Sequence, residues 1–127
     1  MTRMQRISVA MVVSVLARSA SASEFYVATE GDDANAGTLA SPFATLVRAR
    51  SAVRESRSRD PNAASTVFVR KGVYRLAETF RLSSADSGTA DAPVVWQGYN
   101  DERPQLTGGV EISGFTPHQG PILRADA

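Results

Sequence analysis

From residue 66 onward the chain is written in short apolar runs divided by turns: Thr66 to Val69, Val73 to Leu76, Thr79 to Leu82, Val94 to Trp96 and Gln105 to Thr107. None is long enough for a helix, so each reads as a strand. The runs recur at a loose period. Val67 to Val94 is 27 positions, Gly72 to Gly98 is 26, and Leu82 to Leu106 is 24. A strand, a glycine turn and a second strand repeating in the mid-twenties is what a coiled solenoid shows, each coil stacking its strands on those of the next. An antiparallel sheet of four or five strands is the other arrangement, and the spacing leaves both open. Within Thr79 to Leu82 the alternation sets Phe80 and Leu82 on one side and Arg81 on the other, a strand with one buried and one wet face.

The first half has a different texture. Glu24 to Ala28 is aromatic and β-branched, a short strand. Residues 30–41 hold Gly31, Asp32, Asp33, Asn35, Gly37 and Ser41, which tolerate positive φ or bond their own backbone, so a surface loop follows. A helix comes next, starting at Ser41–Pro42 or N-capped by Thr45. Helical spacing gathers Leu46, Ala49, Ala52, Val53 and Ser56 on one side and leaves Arg48, Ser51, Arg54 and Glu55 elsewhere, a thin apolar stripe with an arginine-rich back. Glu55 stands four residues before Arg59, a pair that adds about 0.3 kcal/mol to an exposed helix. Asp60, Pro61 and Asn62 end it.

Ahead of all this, Arg3 and Arg6 precede an apolar run from Ile7 to Ala17, shorter than the roughly 20 residues of a membrane-spanning helix. Ala20, Ser21 and Ala22 form a small-x-small cleavage site, so residues 1–22 read as a signal peptide and the protein as secreted or periplasmic. A membrane anchor is the alternative; after cleavage no integral span is expected. Cleavage removes Arg3, Arg6 and Arg18, so the 14 basic residues fall to 11 against 13 acidic ones, and the net charge changes from +1 to −2. That balance argues against nucleic acid as a partner. There is no cysteine, so an exported domain of this size relies on its core, a metal or more protein.

Residues 25–55, 67–76, 80–109 and 112–115 together resemble the opening of secreted right-handed parallel β-helix proteins, the pectate-lyase-like group, in the branch that includes β-helix glycoside hydrolases. The pattern GxDxNxGTxxxPFxTLxxAR, from Gly31 to Arg50, carries most of the resemblance. The resemblance implies an all-β solenoid in which residues 23–64 cap the open end with strand, loop and helix, and residues 65–127 form the first coils. The helix stripe would plug the first coil, as solenoid ends need covering. Such proteins run to several hundred residues with catalytic carboxylates on later coils. The expectation is therefore a truncated stretch of the fold, since stacks need about three repeats.

Candidate chemistry is sparse. Asp32, Asp33 and Asn35 offer oxygens of the kind Ca²⁺ takes, but without the spacing of a calcium loop they read as a turn; no metal or cofactor is expected. Asp86 and Asp91 flank Ser87, Gly88 and Thr89, and two carboxylates about 5–9 Å apart serve glycosidases as acid and nucleophile or base. Gly88 and Pro93 favour a coil-to-coil turn instead. His118 is the single histidine and reads as an exposed loop residue. Trp96, Tyr99 and Tyr74 are candidates for stacking on sugars, with Trp96 expected in the core. Arg48, Arg50, Arg54, Arg57 and Arg59 suit acidic polysaccharide, against a solvated helix face. No catalytic or carbohydrate-binding residue is assigned. The chain reads as the N-terminal part of an exported carbohydrate-active β-helix protein, a glycoside hydrolase acting on polysaccharide, with its catalytic coils past residue 127. A non-catalytic β-helix module for glycan binding or surface structure is the alternative, and a self-sufficient small β domain a third.

Overall fold

The computed structural model describes residues 22–125. The expected export segment, but for its last residue, lies outside the described residues. Among these, no helix is long and apolar enough to cross a membrane.

Within the described residues seven strands and one α-helix follow one another: β1 (Ser23–Val27), α1 (Leu46–Arg59), β2 (Ser65–Val69), β3 (Val73–Arg75), β4 (Val94–Gly98), β5 (Gln105–Thr107), β6 (Thr116–Gln119) and β7 (Ile122–Arg124). β1, β2 and β4 form one sheet in that order, both pairings parallel, and β3 pairs with β5, again parallel. The antiparallel alternative is therefore overturned for these five strands and holds only for the hairpin β6–β7. Neither parallel sheet closes on itself.

The register corrects the spacing read from sequence. Val67 stands opposite Trp96, not Val94, and Tyr74 opposite Leu106. Ser65, Val67 and Val69 are buried while Thr66 and Phe68 turn outward, and the pairing sets Ser65 against Val94 and Val67 against Trp96, so the inward residues of both strands share one face. Thr79 to Leu82 is a second correction, because it forms no strand. Phe80 packs against the core edge, its ring 5.4 Å from Trp96, whereas Leu82 is 51% exposed, so alternation found no ladder to join.

α1 begins as one of the two expected starts has it. The Thr45 hydroxyl accepts from Arg48 N at 3.1 Å, and Asp60 ends the helix. Leu46, Ala49, Ala52 and Val53 are buried and join Val27, Phe43, Val67, Val69 and Tyr74 in one core. With a helix stripe this thin, the ring of Phe43, 1% exposed, fills what the alanines leave open. Phe43 also closes the sheet. The N–H groups of Tyr26 and Ala28 donate to the carbonyls of Gly37 and Phe43, and Phe43 N donates to Tyr26 O, so the outer edge of β1 is paired by the loop that precedes the helix. The approach leaves no room for side chains: a Cβ on Gly37, whose φ is +76°, would stand 2.3 Å from the Phe43 ring.

At the other end, Leu106, Val110, Ile112, Phe115, Ile122 and Leu123 are each more than half exposed. The hairpin β6–β7 lies in that stretch and turns at Gly120, φ +58°.

Candidate functional site

The loop carboxylates of the first half are bound to backbone. Asp33 Oδ1 accepts from Ala44 N and Thr45 N, both at 2.9 Å, and Oδ2 accepts from the Thr45 hydroxyl at 2.7 Å. Asp32 accepts from Ala34 N at 2.8 Å, and the Asn35 amide donates to Pro42 O at 2.9 Å. These three residues hook the loop to the start of α1. That is the turn reading, with the oxygens of Asp33 engaged three times over.

Asp86 and Asp91 do not make an acid–base pair. Asp86 is 5% exposed on a short 3₁₀ turn, Ser84–Asp86, and takes a bidentate fork from Arg54, Nε to Oδ1 at 2.5 Å and Nη2 to Oδ2 at 2.7 Å. Ser83 adds its N–H at 2.7 Å. The Arg54 fork and the Ser83 donors outweigh burial and hold the Asp86 carboxyl at about 2, below its ordinary 3.8. A group so committed cannot deliver a proton near neutrality. Asp91 is exposed.

The arginines are the main surprise of the helix. Three of the five, Arg50, Arg54 and Arg57, tie the helix to distant segments, while Arg48 has local partners and Arg59 stays on a solvated face. Arg48 lies 4.7 Å over the Phe43 ring and pairs with Glu55 at 3.3 Å, so Glu55 faces back toward Arg48 rather than on to Arg59. Arg50 Nη1 donates to Arg81 O at 2.6 Å, and its guanidinium sits 5.5 Å from the Phe80 ring. Arg54 holds Asp86, and Arg57 Nη1 reaches Ala92 O at 3.4 Å. Arg59 is exposed in the last turn. A local signal for these ties does not exist, since the partners lie 31 to 35 residues away.

The aromatic candidates divide three ways. Tyr74 is buried, donates toward Arg70 O at 2.8 Å, and reaches only the wall of the cleft described below. Trp96 is half-buried against the core, as expected. Tyr99 belongs to an outer-face cluster with Tyr26 and Phe68, at 5.7 and 5.8 Å, and Arg70 covers it at 4.9 Å. Arg70 is itself forked by Glu102, at 2.8 and 2.9 Å, and that fork with the Lys71 N–H lowers the Glu102 carboxyl to about 2. His118 is exposed but on β6, not in a loop.

One concave feature with chemistry in its walls is not legible in the sequence. Between the first turn of α1 and the segment running from β3 to Phe80 lies a cleft of about 530 Å³. Thr45, Arg50, Arg75, Leu76, Glu78 and Phe80 are among its lining residues. It joins a cation, a carboxylate, hydroxyls and a ring, and its volume falls in the range of small-molecule sites, about 300–1,000 Å³. Among the described residues Glu78 is the sole carboxylate in its wall, so the cleft is equipped to bind rather than to run a two-carboxylate hydrolysis.

No family model matches the chain. A Bacillus subtilis (strain 168) protein described as uncharacterized protein YwoF is 32% identical over 99 residues, covering 78% of this chain and 18% of that one. A solved structure described as a glycoside hydrolase is 36% identical with a TM-score of 0.71, over 76% of this chain and 17% of its own. The structure of XylC in complex with xylose is 26% identical with a TM-score of 0.56, over 76% of this chain and 14% of its own. The chain thus spans less than a fifth of the length of each of these relatives.

Proposed function

We propose that this protein is an exported, carbohydrate-active member of the right-handed parallel β-helix class. In this reading residues 23–64 cap the front of the coil and β2 to β5 supply the first coils. The observation that carries it is the 36% identity and TM-score of 0.71 to a glycoside hydrolase, spread over 76% of this chain. The parallel stacking of β1, β2 and β4 supports the β-helix part, and the N-terminal charge and cleavage pattern supports export.

Hydrolysis of polysaccharide is the activity of the whole architecture in this reading, and the described residues contribute cap and binding surface. A non-catalytic module for glycan binding or surface structure is the alternative; Asp33, Asp86 and Glu102 are spent on structural bonds, so the hydrolase reading takes its catalytic carboxylates from elsewhere. The deciding experiment measures retention of the secreted protein on plant, algal and microbial polysaccharides, together with release of reducing ends. Retention with release supports the hydrolase, and retention without it the binding module. Neither binding nor release on any of them would sink the carbohydrate reading.

A further inference from the structure

The front strands of the two parallel sheets are finished differently. The edge of β1 is paired by Gly37 and Phe43. In the other sheet, Gln105 N donates to Gly72 O at 2.9 Å and Leu76 N to Thr107 O at 2.8 Å. Parallel ladders use alternate residues toward one neighbour, so Tyr74 serves β5 and the main-chain groups of Val73 and Arg75 face the opposite edge. Among the described residues, nothing pairs with that edge. Val73 and Arg75 also line the 530 Å³ cleft.

We infer that this cleft is a glycan site in which a neutral pyranoside lies along the open edge of β3, an inference that rests on the carbohydrate reading above. A strand edge alternates N–H donors with C=O acceptors, and a sugar hydroxyl is both at once, so it satisfies either. The side walls ask for the same chemistry. Arg50 donates and Glu78 accepts, while Phe80 and Leu76 give an apolar surface to a sugar's C–H face. Charge selects against other ligands: a polyanion meets Glu78, a polycation meets Arg50, and Arg75 is already paired with Glu111 at 2.5 Å. A neutral polyol pairs with both signs. Arg50 is held in place before any ligand arrives, by Arg81 O and the Phe80 ring, which lowers the ordering cost of binding.

The test is a backbone-amide NMR titration of the full chain with three probes: a xylo-oligosaccharide, an oligogalacturonide and a blocked extended Val-Thr peptide. The xylo-oligosaccharide is expected to shift the Val73 and Arg75 amides. Glu78→Ala, at an exposed position, and Arg50→Met are each expected to weaken binding about tenfold or more, the loss of one charge-assisted hydrogen bond. Tyr99→Ala, on the outer sheet face, is expected to leave affinity unchanged. Undiminished binding by both cleft variants would move the site elsewhere and leave the carbohydrate reading standing. Tighter binding of the oligogalacturonide overturns the neutral ligand class, and edge shifts with the peptide alone make the cleft a strand-docking groove. Binding of neither sugar probe overturns the inference; the carbohydrate reading falls with it only if retention on the whole polysaccharide panel also fails.

Discussion

The two front edges of this molecule solve one problem in opposite ways. At β1 the unpaired main chain is covered by a glycine-containing loop whose Phe43 drops into the core, so pairing and packing are the same act. At β3 the edge stays open, its cleft walled by the run from Val73 to Phe80, and the segment that follows, from Arg81 to Ala92, is tethered to α1 chiefly by arginines. Backbone bonds and apolar packing hold the sealed edge. The segment beyond the open edge's cleft hangs in part on one ion pair, Arg54 with Asp86, which acid can break.

Phe43→Ala attacks the sealed edge most directly and is expected to cost about 3–5 kcal/mol, read from urea denaturation; a loss below about 1 kcal/mol would mean the ring does not carry that edge. Asp86→Asn attacks the tether of the segment that follows the open edge's cleft. It breaks the fork with Arg54 and is expected to cost about 1.5–3 kcal/mol, the range for a hydrogen bond to a charged group, toward the lower end because Arg54 is 42% exposed. The same pair sets a pH dependence. The folded Asp86 carboxyl lies at about 2 against 3.8 when free, so between these values the unfolded chain binds more protons. Its contribution is complete above about pH 5 and is lost as the pH falls through 2, and the Asp86→Asn variant should lose part of that acid slope. An unchanged slope would show that the ionic tether is not what differs between the sides.

Gly37→Ala returns to the sealed edge with a smaller perturbation, a methyl group forced against the Phe43 ring at positive φ. It is expected to cost about 1–3 kcal/mol in the same denaturation measurement, in the range of overpacking. Val73→Thr is the counterpart on the open edge, where the side chain is 47% exposed, and its expected effect is within about 0.5 kcal/mol. If Val73→Thr were as costly as Gly37→Ala, the edges would be equally built in and the comparison would fail.

The strands around Val67, Trp96 and Leu106 were legible because alternation and bounding turns are local properties. Their register was not. Counting from Val67 to Val94 finds the right face but a register two residues away, because a slip of two keeps the same side chains inward and alternation cannot detect it. Thr79 to Leu82 shows the converse, a correct alternation with no neighbouring strand to bond. The hairpin at Thr116 to Arg124 has neither alternation nor burial to announce it. Of the candidate site, Arg50 was visible only as one of five helix arginines, because its role is fixed by Phe80 and Arg81, brought near by folding. Asp86 reads from sequence as part of a turn, but its fork with Arg54 stays hidden for the same reason: the partner lies 32 residues earlier.

Asp33 grips Thr45 across only twelve positions, whereas β1 reaches β2 across forty-two. Closing the shorter loop loses less chain entropy, so the hook between loop and helix is the less costly contact to make first. By loop entropy alone the hook is expected to form before the pairing of β1 with β2, so β2 would meet an edge whose far side is already finished.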